Sequence, residues 1–173
     1  MRKEKINVFD YANEINSVLR PGILLNTNGD KFNSMVIGWG HLGIIWGMET
    51  FTVYVRQSRY TKAQIDKTKE FTLSVPLDKK FDKEIIRVCG SLSGNDINKA
   101  DYVTLVEPQT NHTPGIKEYP LTIECELLYA QDQVLEKMPA SVIERYYSDE
   151  EDVGNFHTAY IGKIVDAYII KED

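Results

Sequence analysis

Across residues 121–129 the chain alternates, with Leu121, Ile123, Cys125, Leu127 and Tyr129 set against Thr122, Glu124 and Glu126. A side-chain period of two commits such a stretch to a strand with one face in a core. The pattern recurs in shorter form at residues 22–26, 32–39, 51–56 and 71–75, and again over 157–170, where Gly162 predicts a bulge or bend. Thr27-Asn28-Gly29-Asp30 carries the Asn-Gly signal that folds the first two runs into a hairpin. Helical patterns are short: residues 9–19 ahead of Pro21, 61–70, 81–90, a turn at 98–103, and an acidic, partly helical 139–153. The apolar, glycine-punctuated 40–47 reads as a loop buried against something, and 106–120, with three prolines, as a further loop. Six or seven strands with turn-like connections predict a mainly β fold with short helices. A closed or nearly closed antiparallel barrel suits them better than a parallel wound sheet.

At 173 residues the chain is most simply one domain over its whole length, large enough to bury a core unaided. A net charge of −6 argues against general affinity for nucleic acid or acidic membranes. No apolar run approaches the roughly 20 residues of a membrane helix, and the basic start lacks an apolar signal core. Cys89 and Cys125 are the only cysteines, with no C-x-x-C and no histidine at ligand spacing, so no metal site is expected. A reducing, cytoplasmic setting fits, with one disulfide left open. No G-x-G-x-x-G follows the first strand, so a Rossmann nucleotide site has no support, and no phosphate-loop, zinc-protease or nucleophile-elbow motif is present.

The chemistry concentrates at Val55-Arg-Gln-Ser-Arg-Tyr-Thr61, where a strand hands over to a helix. Thr61 and Gln64 have capping-box spacing, which places the helix N-terminus there. Free first-turn amides, the positive end of the helix dipole and the guanidiniums of Arg56 and Arg59 together favour an anion, and phosphate above all. A solvated strand end with surface ion pairs fits the same residues equally well.

Three other segments stand out: Asn33-Ser34-Met35 with Trp39, then Cys89-Gly90 with Ser93-Gly94, then His157 with Tyr160. Taken singly each has a bland reading. His157 suits a structural histidine at a strand start before a general acid, Cys89 a small buried residue before a nucleophile, and Met35 and Trp39 share the parity of a core face.

Together these segments resemble the flavin reductase-like family, whose fold is the FMN-binding split β-barrel and whose members include flavoredoxin. The resemblance is carried by Asn33-Ser-Met-Val-Ile-Gly-Trp-Gly40, Gly43-Ile-Ile-Trp-Gly47, Phe51-Thr-Val-Tyr-Val-Arg-Gln-Ser-Arg-Tyr-Thr61, Glu70-Phe-Thr-Leu-Ser-Val-Pro76, Cys89-Gly-Ser-Leu-Ser-Gly94 and His157-Thr-Ala-Tyr-Ile-Gly-Lys-Ile164, in order along nearly the whole chain. It implies non-covalent FMN, with Arg56, Ser58, Arg59, Tyr60 and Thr61 at the phosphate turn. Asn33, Ser34, Met35 and Val36 would lie along the isoalloxazine ring, with Cys89, Gly90, Ser93 and Gly94 as a second wall. Lys99 would approach ring or phosphate, and His157 and Tyr160 would arrive from late in the chain, His157 orienting substrate or flavin. The implied activity is an NAD(P)H-dependent flavin reductase passing hydride to flavin N5. The alternative is a flavoredoxin-like electron-transfer protein that meets a redox partner and has little nicotinamide activity. A homodimer is implied, with the 40–47 segment buried in it or over the flavin. Val36 where relatives often carry Thr, and Gln57 where Pro is frequent, depart from the pattern.

Overall fold

A computed structural model describes residues 1–148 and 154–172. Ten strands and four α-helices follow one another as β1 (Arg2–Lys5), α1 (Ala12–Leu19), β2 (Ile23–Asn28), β3 (Phe32–Ile37), β4 (Gly40–Ile45), β5 (Met48–Arg56), α2 (Tyr60–Thr68), β6 (Glu70–Val75), α3 (Lys83–Ser91), β7 (Leu105–Val106), β8 (Gly115–Ile116), β9 (Leu121–Asp132), α4 (Ala140–Tyr146) and β10 (His157–Lys171). Eight strands form one antiparallel sheet in the order β3-β2-β6-β9-β10-β5-β4, with β1 also on β10; β7 and β8 pair separately. The architecture is mainly β with short helices, a split barrel whose sheet curls but does not close. Its two edge strands, β3 and β4, are joined by Gly38 and Trp39 alone.

The inner face holds the main core. Ile23, Leu25, Phe51, Val53, Val55, Phe71, Leu73, Ile123 and Cys125 meet there, and α1 closes one end with Ile15 and Val18. A second cluster lies outside the curl, where Leu24 and Phe32 pack on Ile85 and Cys89 of α3 and on Ile116 and Tyr119. Strand β2 is therefore buried on both faces, which explains its near-continuous apolar start. The irregularity expected at Gly162 is present as a register shift between Ile161 and Gly162, where the bulged residue is Leu128 of the partner strand β9; a second shift leaves Val165 of β10 unpaired. Phe71 accounts for the residue type, since a Cβ on Gly162 would stand 2.5 Å from its ring.

Several expectations are corrected. Residues 40–47 are not a buried loop. They are edge strand β4 and a two-residue turn to β5 at Trp46 and Gly47, both at positive φ (54° and 72°), the backbone of a type I′ hairpin. Ile44 and Trp46 point to solvent. The capping box also fails: α2 starts one residue earlier, on Arg59, with no side-chain cap. The Thr61 hydroxyl instead accepts from Asn33 Nδ2 at 2.8 Å, and the Gln64 side chain bonds Thr27 and the Lys31 carbonyl. The alternation of 121–129 breaks at Leu128, the bulged residue of β9 opposite Ile161 and Gly162, and Thr122 and Glu124 on its polar face are fully buried. The loop over 106–120 holds the short β7–β8 pair. Of the acidic 139–153, residues 140–146 are helical and 149–153 lie outside the described residues. Both cysteines are free and buried.

Candidate functional site

Strand β3, the start of α2 and the end of α3 with its following turn enclose an open cleft of about 700 Å³. Its lining includes Asn33, Met35 and Val36 from β3, Ser58, Arg59, Tyr60 and Thr61 at the strand-to-helix turn, and Cys89, Gly90, Ser93, Gly94 and Lys99 opposite. Ser91 and Leu92 complete that second wall and were not anticipated. The sequence offered a signal for them, since they sit inside the Cys89–Gly94 segment already singled out.

The polar groups of this cleft are unevenly answered. The Asn33 amide spends one arm on Thr61, while its other polar atom, Oδ1, is buried at the wall with no partner. Gly94 packs against that atom so closely that a Cβ would stand 2.2 Å from it and 2.6 Å from the Tyr60 ring. Gly90 is different: a Cβ there would make ordinary 3.5 Å contact with Val36, so nothing in the polypeptide demands a glycine.

Lys99 is the buried cation of the site. Its Nζ donates to the Ser34 carbonyl at 2.6 Å and the Cys89 carbonyl at 3.4 Å, and among the described residues no carboxylate faces it. Burial holds its pKa below the usual lysine range; Cys89 nearby acts the other way, and Arg59 adds a little to the depression. Burial pushes the Cys89 thiol up, with Ser34 and Lys99 opposing, so Cys89 is a neutral thiol at neutral pH rather than a nucleophile. Ser34 itself does not line the cleft; it contributes its carbonyl to Lys99, and its hydroxyl, beside Cys89, makes no hydrogen bond of good geometry. Arg59 is exposed and forms no hydrogen bond or ion pair through its side chain. Two cations without a counter-ion, beside the uncapped N-terminus of a nine-residue helix, make a site for an anion.

A second cleft of about 460 Å³ adjoins the first through Met35, Val36 and Arg59, and is lined further by Ile37, Gly38, Trp39, Tyr54, Arg56 and His157. Here His157, paired with Arg56 across β10 and β5, lies with its ring 4.5 Å from that of Trp39. Its Nδ1 is 2.8 Å from the Tyr147 hydroxyl, which donates to Gln133 Oε1 at 2.9 Å. The Tyr147 link was invisible in the sequence except as an aromatic pair, Tyr146-Tyr147, at the C-terminal end of α4.

Of the residues expected at a cofactor, the structure gathers Asn33, Met35, Val36, Ser58, Arg59, Tyr60, Thr61, Cys89, Gly90, Ser93, Gly94 and Lys99 in the first cleft. It places Arg56 and His157 in the second. Tyr160 is in neither: it is buried in the barrel, and its hydroxyl donates to Asp66 Oδ1 at 2.7 Å beneath α2. Among the described residues no cluster of three or more His, Cys, Asp or Glu is placed to hold a metal, and no helix is long and apolar enough to cross a membrane.

Comparison with known proteins agrees with this geometry. An uncharacterised protein of Archaeoglobus fulgidus is 28% identical over 130 residues, 74% of this chain and 69% of the relative. Among solved structures, flavoredoxin of Desulfovibrio vulgaris (Miyazaki F) superposes with a TM-score of 0.65 at 21% identity, over 87% of this chain and 69% of that one. An FMN-binding domain of a flavin reductases-like enzyme from Shewanella baltica gives 0.62 at 17% identity, over 97% and 77%. These likenesses establish a shared fold. The model of the flavin reductase like domain matches residues 47–173, most of the chain, and the protein belongs to that family.

Proposed function

We propose that the protein is an FMN-binding oxidoreductase whose first cleft holds the flavin and whose second cleft admits the molecule that exchanges electrons with it. The single observation that carries this reading is the uncompensated positive charge of Arg59 and Lys99 in a cleft that also leaves Asn33 Oδ1 unpartnered. The residues present suit a flat, polar-edged, singly phosphorylated ligand. Arg59, Ser58 and Thr61, with the first-turn amides of α2, would hold the phosphate. Asn33 and Lys99 would meet polar edges of the ligand, and Met35, Val36 and Gly90 would bear on its face. A bound flavin supplies the redox chemistry, taking a hydride equivalent from a donor such as NADH or NADPH and passing electrons to an acceptor. The polypeptide orients the ring, excludes water from it through Met35 and Val36, and offers Trp39 and His157 as a wall against which a second planar molecule can lie.

The exposed Ile44, Trp46 and Tyr129 make an apolar surface on the β4 side, with Trp46 and Tyr129 ring to ring at 6.3 Å. Such a surface supports a homodimer. Light scattering after size-exclusion chromatography checks it: a dimer mass is expected, and a monomer refutes it.

The deciding experiment is an anaerobic titration. Freshly purified protein, supplemented with FMN, is expected to show a bound-flavin spectrum that NADH or NADPH bleaches. A bound flavin that stays yellow removes the nicotinamide-dependent reductase and leaves electron transfer with a protein partner. No binding of FMN at all overturns the proposal.

A further inference from the structure

Arg56 was expected at the phosphate, yet its guanidinium is committed elsewhere. Nη2 donates to the Tyr146 carbonyl at 2.9 Å, at the C-terminal end of α4, and Nη1 to the Asn155 carbonyl at 3.4 Å. The same group lies over the Tyr147 ring, 5.4 Å from its centroid. One side chain thus ties together two points of the chain nine residues apart, while Asn155 Oδ1 accepts from the backbone N–H of Ser58 at 3.0 Å and Gln57 N–H bonds the Phe156 carbonyl. What these ties hold is the wall of the second cleft. Tyr147 fixes His157 through Nδ1, and Tyr146 sets its ring edge-on to Trp39 at 5.3 Å. Trp39 and His157 therefore stand where they do because α4 and the 154–156 segment are docked, and Arg56 docks both. A planar fork with several donors can bridge two carbonyls and cover a ring at once, which a lysine ammonium cannot.

We propose that Arg56 is a positioning residue for the second cleft: it holds the Trp39–His157 wall, and so governs the approach of the second substrate, while the phosphate falls to Arg59. This rests on the reading of the two clefts given above.

The test uses full-length protein carrying Trp46→Phe, which leaves Trp39 as the one tryptophan, and compares Arg56→Ala, Arg56→Lys and Arg59→Ala. Four quantities are read: FMN and riboflavin affinity, Trp39 emission, the His157 imidazole resonances, and KM for whichever of NADH and NADPH bleaches the flavin. Arg56→Ala is expected to leave the preference for FMN over riboflavin within about twofold, to shift Trp39 emission to the red, to move the His157 resonances, and to raise KM about tenfold with kcat little changed. Arg56→Lys should recover part of the KM change. Arg59→Ala is expected to do the converse, lowering the FMN preference about tenfold without moving Trp39 emission. The inference is overturned if Arg56→Ala destroys the FMN preference as Arg59→Ala does, or if Trp39 emission and the His157 resonances stay where they were. Failure of the flavin reading shows separately, as wild-type protein that takes up no FMN, and the two spectroscopic readouts then decide the role of Arg56 on flavin-free protein.

Discussion

Two parts of the molecule bury charge, and they do it in opposite ways. On the outer face of β6 and β9, Glu124 is wholly buried, and its carboxylate accepts from the backbone N–H groups of Gln109, Thr110 and Asn111 at 2.7–3.0 Å. Glu70 beside it accepts from the His112 amide and the Thr113 hydroxyl and faces the His112 ring. The loop over 107–114 is strapped down by these two side chains, and each negative charge is met by donors of the same chain. In the first cleft the buried charge is that of Lys99, with the exposed Arg59 beside it, and among the described residues no carboxylate meets either. A buried charge satisfied internally contributes to stability; one left without its counter-charge is a cost unless a ligand arrives. The contrast separates a fastening from a site without any appeal to resemblance.

The largest effect should come from the fastening. Glu124→Ala removes three charge-assisted acceptor contacts and strands the N–H of buried Asn111 along with those of Gln109 and Thr110, so a loss of about 3 kcal/mol is expected in urea unfolding. FMN affinity of the folded fraction should be unchanged; a parallel loss would dissolve the distinction between the two regions. Arg59→Ala should invert that outcome. FMN binding weakens by about 1.5–3 kcal/mol, while stability stays within about 0.5 kcal/mol, as equilibrium dialysis and thermal melts would show.

The glycines sharpen the contrast within the cleft. Gly94→Ala forces a methyl into Asn33 and Tyr60 and should cost about 1–3 kcal/mol of stability even without ligand. Gly90→Ala, with room beside Val36, should leave the flavin-free fold as stable or raise it by up to about 1 kcal/mol. It should still lower flavin affinity severalfold; unaltered affinity would mean that the ring does not pass Gly90.

The smallest effect is a pH dependence. Burial lowers the Lys99 pKa in the folded protein below its unfolded 10.5, so between those two values the unfolded chain binds the extra proton. Stability of the flavin-free protein therefore gains from Lys99 as pH rises through that window. An anionic ligand wants the ammonium, so FMN affinity should fall over the same alkaline range, and Lys99→Met should flatten both trends. An affinity that is level with pH in the parent protein would remove Lys99 from the ligand's surroundings.

What could be read from the sequence follows the range of the interactions. Period-two runs exposed β3, β5, β6, β9 and β10, and a glycine inside such a run located the register shift between β9 and β10, because both are local signals. Strand β4 was hidden because Gly40, Gly43 and Gly47 dilute its pattern, and because its hairpin turn places a tryptophan, Trp46, at positive φ, where Asn or Asp is the usual mark. The strand-to-helix turn that lines the cleft was legible for the same local reason, with Arg59 and Thr61 close in sequence. The employment of Arg56 was not, since its partners Tyr146 and Asn155 lie 90 and 99 residues on. Tyr160 was grouped with His157 by proximity along β10, but the bulge does not fall between them. What separates them is parity: three positions apart on a continuous register, they face opposite sides of the strand, His157 toward the second cleft and Tyr160 inward to Asp66.

Strand β10 has a consequence for how the molecule assembles. Along its length it pairs with β9 on one edge and with β5 and then β1 on the other, joining Thr50 to Lys163 and Arg2 to Lys171. Few of those ladders can close early, because each spans a large loop whose entropy must be lost first. Hairpins β2–β3 and β4–β5 can flicker into being within microseconds, yet they stay provisional until β10 docks between β5 and β9. Refolding should then pass one slow, late barrier on the millisecond-to-second scale, and amides of β10 should be the last to exchange with deuterium.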